Sequence, residues 1–163
     1  MARSIGVALM LLVATGCGAV RPQPLDLGPG QHIVLGGIDL SGFEVTEGIV
    51  DIVRDDQTFQ QQVRAGLGAR EFAIGLPPGR YRVTQLRASH DSRSVPNQVI
   101  WDLGLTFQVD GGPAVYVGTL RVDGAFAGRL RYRVLDELDD TLRILRGRYT
   151  NMPATANRVL MAP

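Results

Sequence analysis

Four adjacent residues, Ser89-His90-Asp91-Ser92, carry the side-chain types of a nucleophile, a general base and an orienting carboxylate. In a hydrolase, such groups activate a serine hydroxyl for attack on a carbonyl carbon. The partners of a catalytic triad converge from separate elements of a fold, because neighbours in sequence cannot align as nucleophile, base and orienter. Residues 88–98 are mostly polar, and we therefore interpret this segment as a surface loop.

Few residues are available to hold a metal or a cofactor. The chain has two histidines, far apart, and one cysteine, which excludes a cysteine-based zinc site. The acidic run at residues 136–140 could attract a divalent cation, but it lacks the loop glycine of an EF-hand, and capping of a helix explains it better. The pairs Gly36-Gly37 and Gly111-Gly112 match neither a phosphate-binding loop nor a dinucleotide fingerprint. The sequence predicts no catalytic residues, no metal and no cofactor.

Arginines at alternate positions form the clearest candidate binding feature. Arg129, Arg131 and Arg133 are spaced by two, which places their guanidinium groups on one face of a strand. Arg80 and Arg82 form a similar row elsewhere. If the two strands are neighbours, the five arginines make one patch suited to phosphates or carboxylates, as in lipid headgroups, lipopolysaccharide or an acidic periplasmic protein. The alternatives are a solvated face balanced by nearby acids, or an edge strand that repels other strands by charge.

Size and charge narrow the class of protein. The chain has 163 residues, enough for one domain with a single core. Its 17 basic residues, all of them arginine, nearly balance 16 acidic residues. This balance argues against a general nucleic-acid-binding protein, and the single cysteine excludes an intramolecular disulfide.

The N-terminus has the layout of a secretory signal at residues 1–16. Arg3 and the free amine supply a positive start, and an apolar run follows at residues 5–14. As a helix this run is about 15 Å long, roughly half of the hydrocarbon core of a bilayer. It predicts a removable signal rather than a permanent transmembrane helix.

The signal ends in residues 13–17, Val-Ala-Thr-Gly-Cys, which resemble the lipobox of bacterial lipoproteins. The resemblance implies cleavage before Cys17, acylation of this residue and stable anchoring by several acyl chains. Gly18, in place of aspartate, resembles lipoproteins that are sorted to the outer membrane and face the periplasm. The alternative is an ordinary signal peptide, cut by the general signal peptidase, which releases a free periplasmic protein.

The remaining chain divides into three predicted parts. Residues 17–31 are rich in proline and glycine and contain little that can pack, so we predict a tether that extends about 40 Å from the lipid. Residues 32–135 predict short strands, of which the clearest covers residues 101–109 with apolar side chains on one face. Residues 136–163 predict a helix and tail packed on the same domain. The apolar seam of that helix is spaced by four, three and four residues: Leu138, Leu142, Leu145 and Tyr149.

A turn sequence separates two of the predicted strands. Residues 72–76 and 81–83 alternate in polarity or size, and Pro77-Pro78-Gly79 between them predicts a β-hairpin, with a bulge near Gln85. The run resembles the L-P-x-G-x-Y hairpin of prealbumin-like and carboxypeptidase-regulatory-like β-sandwich domains, and residues 115–120 resemble a later core strand of these domains. With the regular turn signals, this predicts an antiparallel β-sandwich of about seven strands with one C-terminal helix.

These observations predict a non-enzymatic, lipid-anchored lipoprotein of the cell envelope, which binds or spaces another envelope component on the periplasmic side. An envelope hydrolase with an unrecognised site and a free periplasmic binding protein are the alternatives. We expect no nucleic-acid partner.

Overall fold

Strands make up most of the chain that the structure describes. A computed structural model describes residues 21–42, 45, 47–66, 70–89, 98–126 and 129–163. Within these ranges the chain forms, in order, β1 (His32–Asp39), β2 (Glu47–Arg54), β3 (Gln60–Gly66), β4 (Glu71–Leu76), β5 (Gly79–Ser89), β6 (Gln98–Val109), β7 (Val115–Phe126), β8 (Arg129–Leu135), α1 (Leu138–Arg148) and β9 (Asn157–Arg158).

The strands form two sheets. Sheet I has the order β4-β1-β7-β8, with the short β9 beside β7, and sheet II has the order β3-β2-β5-β6. The mainly-β class with one C-terminal helix is confirmed. The described residues hold nine strands rather than about seven, and sheet I is mixed, because β7 runs parallel to β1 and to β9. The pairing register shifts between Val83 and Gln85 of β5, which confirms the predicted bulge.

The parallel pair follows from the way the chain alternates between the sheets. β1 and β4 lie in sheet I, β2 and β3 between them lie in sheet II, and β5 and β6 precede the return to sheet I at β7. The prediction of a β-hairpin at Pro77-Pro78-Gly79 is wrong, because the chain crosses from sheet I to sheet II at this turn. β4 pairs with β1, whereas β5 pairs with β2 and β6, so the turn connects the two sheets. Alternation along a strand reports its faces but not its neighbours.

The main core lies between the two sheets and is formed by alternate residues of each strand. In β6, Leu105, Phe107 and Val109 are buried, as their alternation predicts. The ring of Tyr81 in β5 stacks on that of Phe107, with ring centroids 5.5 Å apart. The Tyr81 hydroxyl donates a hydrogen bond to the carbonyl oxygen of Pro77 at 2.7 Å. The buried tyrosine therefore also fixes the turn that enters sheet II.

α1 covers the outer face of sheet I. Three residues of the predicted seam, Leu138, Leu142 and Leu145, are buried in a second core together with Leu35 of β1 and Tyr116 of β7. Helices in proteins gain most of their stability from such packing of an apolar face. The second core therefore stabilises both α1 and the two central strands beneath it.

One buried hydroxyl fixes the start of α1. Tyr116 Oη accepts a hydrogen bond from the backbone N–H of Glu137 at 2.6 Å and donates one to the carbonyl oxygen of Leu135 at 3.3 Å. Asp136 contributes less to the cap, because its Oδ1 lies 3.4 Å from the N–H of Leu138. The point at which the chain leaves β8 is thus set by a side chain of β7.

The N-terminal segment packs against sheet I and α1. The N–H of Gln23 donates to the carbonyl oxygen of Arg148 at 3.2 Å, and the carbonyl oxygen of Gln23 accepts from the N–H of Thr150 at 3.1 Å. Leu25 and Leu27 pack on the second core. Residues 21–31 therefore differ from the free tether expected over residues 17–31, because these two leucines supply apolar contacts among the prolines and glycines. Residues 17–20 of the expected tether lie outside the described residues.

The C-terminal tail joins the two sheets. Val159 continues the parallel pairing of β9 with β7, and Ala162 exchanges two backbone hydrogen bonds with Thr106 of β6, at 2.6 and 3.0 Å. Gly118 of β7 lies where the tail, β7 and β8 meet. Its φ of 91° favours glycine, and a Cβ atom there would come within 2.5 Å of the Val134 side chain.

Phe107→Ala should destabilise the domain strongly, whereas Thr106→Ala on the same strand should have a small effect. Phe107 is buried in the main core, and removing a buried aromatic ring costs about 3–5 kcal/mol. The Thr106 hydroxyl donates one hydrogen bond to the carbonyl oxygen of Ala162, which is worth about 1 kcal/mol. Urea unfolding of both variants measures the difference, and equal losses would contradict the assigned faces of β6.

Candidate functional site

The triad-like segment lies almost entirely outside the described residues. Ser89 ends β5, whereas His90, Asp91 and Ser92 belong to residues 90–97, which the structure does not describe, as is also the case for Cys17. Among the described residues, no three histidine, cysteine, aspartate or glutamate side chains are grouped as metal ligands. Within the same ranges, no helix is long and apolar enough to cross a membrane.

The acidic run at residues 136–140 borders a pocket of about 250 Å³ at the start of α1. Arg158 lines this pocket and pairs with Asp136 at 3.1 Å. Asp139 and Asp140 lie in the first helical turn, where negative charge stabilises the helix macrodipole. The acids therefore serve the start of the helix, and the arginine in the pocket opposes the binding of a cation.

The arginine row of β5 lies on the outer face of sheet II. Arg80 and Arg82 are exposed, and both pair with Asp55, at 3.6 and 3.2 Å. Arg82 and Asp55 also line a pocket of about 270 Å³, together with Arg54 and four uncharged residues. Arg54 in turn pairs with Asp56 at 3.6 Å. Two carboxylates thus compensate most of the charge of three arginines.

The arginine row of β8 lies on the outer face of sheet I, at the edge opposite β4. Arg129, Arg131 and Arg133 are all exposed. Arg133 pairs with Asp123 of β7 at 3.3 Å, whereas neither Arg129 nor Arg131 forms an ion pair with an acidic residue of the described chain. Among the described strands, β8 pairs with β7 only and forms an edge of sheet I. The start of β8 therefore presents two uncompensated positive charges.

The two arginine rows do not form one patch. β5 belongs to sheet II and β8 to sheet I, and each row points away from the core between the sheets. The spacing of the arginines at every second residue predicted that each row lies on the exposed face of its strand, and the structure agrees with this prediction. The condition for a joint patch, that the strands are neighbours, is not met.

A network of ion pairs on sheet I escaped the sequence analysis. Asp39, at the end of β1, is only 3% exposed and pairs with Arg70 at 3.1 Å and with Arg121 at 4.0 Å. Arg70 also contacts Glu71 and Glu137, each at 3.4 Å. The only sequence signal was an acidic residue that ends one apolar run and an arginine that precedes another.

The environment of Asp39 stabilises its charged form. Burial raises the pKa of this carboxyl, but hydrogen bonds from Ser41 and the charge of Arg70 outweigh burial and lower the pKa below its usual value. The N–H of Ser41 donates to Asp39 Oδ1 at 3.0 Å. Burial also disfavours the charged form of Arg70 and by itself would lower the pKa of this guanidinium. The carboxylates of Glu137 and Asp39 outweigh burial, so the pKa of Arg70 is raised above its usual value. Both groups are therefore charged at neutral pH.

The network fixes which charges of sheet I remain available. The carboxylates of Asp39, Glu71 and Glu137 already have arginine partners, so they compensate Arg70, Arg121 and Arg148 rather than the start of β8. Guanidinium groups bind phosphates and carboxylates through paired N–H donors. The arrangement can therefore bind an anion at Arg129 and Arg131.

Comparison with known proteins gives little similarity. No protein-family model matches the chain, and no curated protein matches it. Among solved structures, a leucine-rich repeat protein from Bacteroides thetaiotaomicron is similar, with a TM-score of 0.39 and 11% identity. The similarity covers 72% of this chain and 16% of that chain. The chain thus spans a small part of that protein, and a likeness at this level carries no functional argument.

Asp39→Asn should reduce stability at neutral pH and flatten its dependence on pH. A carboxylate whose pKa is lowered by folding stabilises the fold above its unfolded pKa of about 3.9, and this stability is lost as the pH falls through the folded pKa. We expect a loss of about 2 kcal/mol near pH 7, which shrinks towards pH 3. Urea unfolding from pH 7 to pH 3 measures it, with the exposed Asp102→Asn as the control. A difference between wild type and Asp39→Asn that stays constant over this range would contradict the assignment.

Proposed function

We propose that the chain is a lipoprotein of the cell envelope, anchored through acylated Cys17, which binds an anionic envelope component through the β8 row, Arg129, Arg131 and Arg133. The anchor is supported by the apolar run that ends at the Gly16-Cys17 junction and by the presence of one cysteine in the chain. The binding role rests on one observation: Arg129 and Arg131 are exposed and have no acidic partner among the described residues. We further propose that the domain stands on the periplasmic side of the outer membrane.

We infer that the domain is a relative of the prealbumin-like and carboxypeptidase-regulatory-like β-sandwiches. The residues Leu76-Pro77-Pro78-Gly79-Arg80-Tyr81 fit the turn motif of these domains. The bond from the Tyr81 hydroxyl to the carbonyl oxygen of Pro77 resembles the tyrosine corner of other sandwiches, in which a buried tyrosine binds backbone a few residues upstream. This supports a sandwich used for binding, since such domains present their surfaces and loops on a rigid core.

The anchor can be tested by metabolic labelling with a fatty-acid analogue. The wild-type chain should be labelled and should fractionate with membranes, because several acyl chains anchor stably. Cys17→Ser should abolish both the label and the membrane association. Labelling of both proteins to the same extent would contradict acylation at Cys17, and a wild type that is cleaved, unlabelled and soluble would identify a free periplasmic protein.

Replacing Arg129, Arg131 and Arg133 with Gln should weaken binding without unfolding the domain. Exposed ion pairs contribute about 0–1 kcal/mol, so the melting midpoint should change little. Binding to immobilised lipopolysaccharide, to anionic vesicles and to envelope extract should be compared at low and high salt, because salt screens exposed charges.

The matched control replaces Arg64, Arg80 and Arg82 with Gln, which removes the same charge from the exposed face of sheet II. The control should bind as the wild type does. The proposed role of the β8 row is wrong if its triple variant also binds every probe like the wild type.

A further inference from the structure

The segment between Cys17 and the packed domain is short. The backbone of Gln23 is already fixed by hydrogen bonds to Arg148 and Thr150, and Leu25 exchanges hydrogen bonds with the Asn151 side chain at 2.7 and 3.0 Å. Only six peptide units separate Cys17 from Gln23, and even fully extended they span roughly 20 Å. An acylated Cys17 would therefore hold the domain about half as far from the lipid as a free tether of fifteen residues.

The segment leaves the domain on the side of α1. Gln23 lies beside the end of α1, and Arg148 there binds Glu71 of β4 at 3.1 Å. β4 and β8 are the two edges of sheet I, separated by β1 and β7. With strands about 4.8 Å apart, the two edges of sheet I are separated by about 14 Å across the sheet. Along the strands, Glu71 lies level with Leu135 at the end of β8, so that Arg131 and Arg129 lie about 13 and 20 Å further along. The exit and the row thus lie on the same side of the protein, and sheet II lies behind them.

Charge is distributed unevenly along β8. Its first half carries Arg129 and Arg131, and the acidic run at residues 136–140 follows its end. On sheet II, by contrast, Arg80 and Arg82 share Asp55. The positive end of β8 is therefore an uncompensated basic surface on the side of the protein where the short segment leaves the domain.

We propose that the anionic partner of the β8 row is the lipid headgroup surface of the membrane that holds the anchor. Sheet I and α1 then face the membrane, and sheet II with its pocket at Arg82 faces away from it. This inference rests on the proposed function, since it requires the anchor at Cys17 and a binding role for the row. Anchoring raises the effective concentration of the row at the membrane, so that two weakly bound arginines suffice to orient the domain.

The affinity for headgroups should be measured on the full chain carrying Cys17→Ser, so that acyl chains do not dominate. Vesicles of phosphatidylcholine alone and vesicles with added phosphatidylglycerol are the two probes. Each arginine near an anionic surface contributes about fivefold in partitioning, so Arg129→Gln with Arg131→Gln should reduce binding to the anionic vesicles about thirtyfold. The matched variant Arg80→Gln with Arg82→Gln should bind like its parent.

The orientation should be measured on the acylated full chain in the same vesicles. A fluorophore placed through Gly147→Cys on the exposed face of α1, where an added side chain meets no other atom, or through Asp102→Cys on the exposed face of β6, is exposed to a quencher held at headgroup depth. Stronger quenching at position 147, which is lost when phosphatidylglycerol is omitted, supports the inference. Equal quenching at the two positions overturns it.

The outcomes separate this inference from the function on which it rests. If the double variant on β8 loses binding to envelope extract but binds anionic vesicles like its parent, the partner is an acidic protein, and the headgroup inference is wrong while the binding role stands. If the double variant binds both the extract and the vesicles like its parent, the binding role of the row also fails. If Cys17 carries no acyl label, the anchor fails, and the orientation argument fails with it.

Discussion

The two central strands of sheet I are buried on both faces, and most of the other features of the fold follow from this constraint. Every residue of β1 after His32 is buried, as are residues 115–120 of β7. A sheet with two buried faces needs a layer on each side. Sheet II supplies one layer, and α1 with the leucines of the N-terminal segment supplies the other. The chain must therefore return across sheet I after β8, and the segment from residue 21 to residue 31 and the C-terminal tail pack with that return.

Burial on both faces also explains the ion pairs around Asp39. An unpaired charge is costly to bury, and a buried carboxylate persists only with hydrogen bonds and an opposite charge. Asp39 meets this requirement through Ser41, Arg70 and Arg121. On sheet II, Asp51 is 6% exposed and meets it through Arg87, at 2.7 Å. These arginines are already bound to acidic residues, whereas Arg129 and Arg131 at the start of β8 form no ion pair with an acidic residue of the described ranges.

The sequence predicted those features that a single strand or helix determines by itself. One face of β6 meets the core, so its apolar residues alternate, and the seam of α1 follows the helical period. The apolar run in β1, in contrast, lacks alternation because both faces are buried, and it gave no sign of a parallel neighbour. The turn at Pro77-Pro78-Gly79 has the chemistry of a hairpin, yet a connection between two sheets requires the same φ angles. The prolines and the glycine determine that the chain turns here. Whether the turn closes a hairpin or connects two sheets depends on the strands with which β4 and β5 pair.

The two arginine rows show why spacing alone does not define a binding surface. Both rows alternate with core residues, and both are exposed, as the period of two requires. They differ in their neighbours across the sheet. The turn after β2 places Asp55 between Arg80 and Arg82, whereas Asp123 of β7 reaches only Arg133 in β8. Whether an arginine of a row keeps an uncompensated charge thus depends on which residue of the neighbouring strand or turn lies opposite it. The sequence of the row does not determine that residue. For this reason the candidate surface emerges only when sheet order and register are known, and it comprises the two arginines of the row that form no ion pair with a described acid.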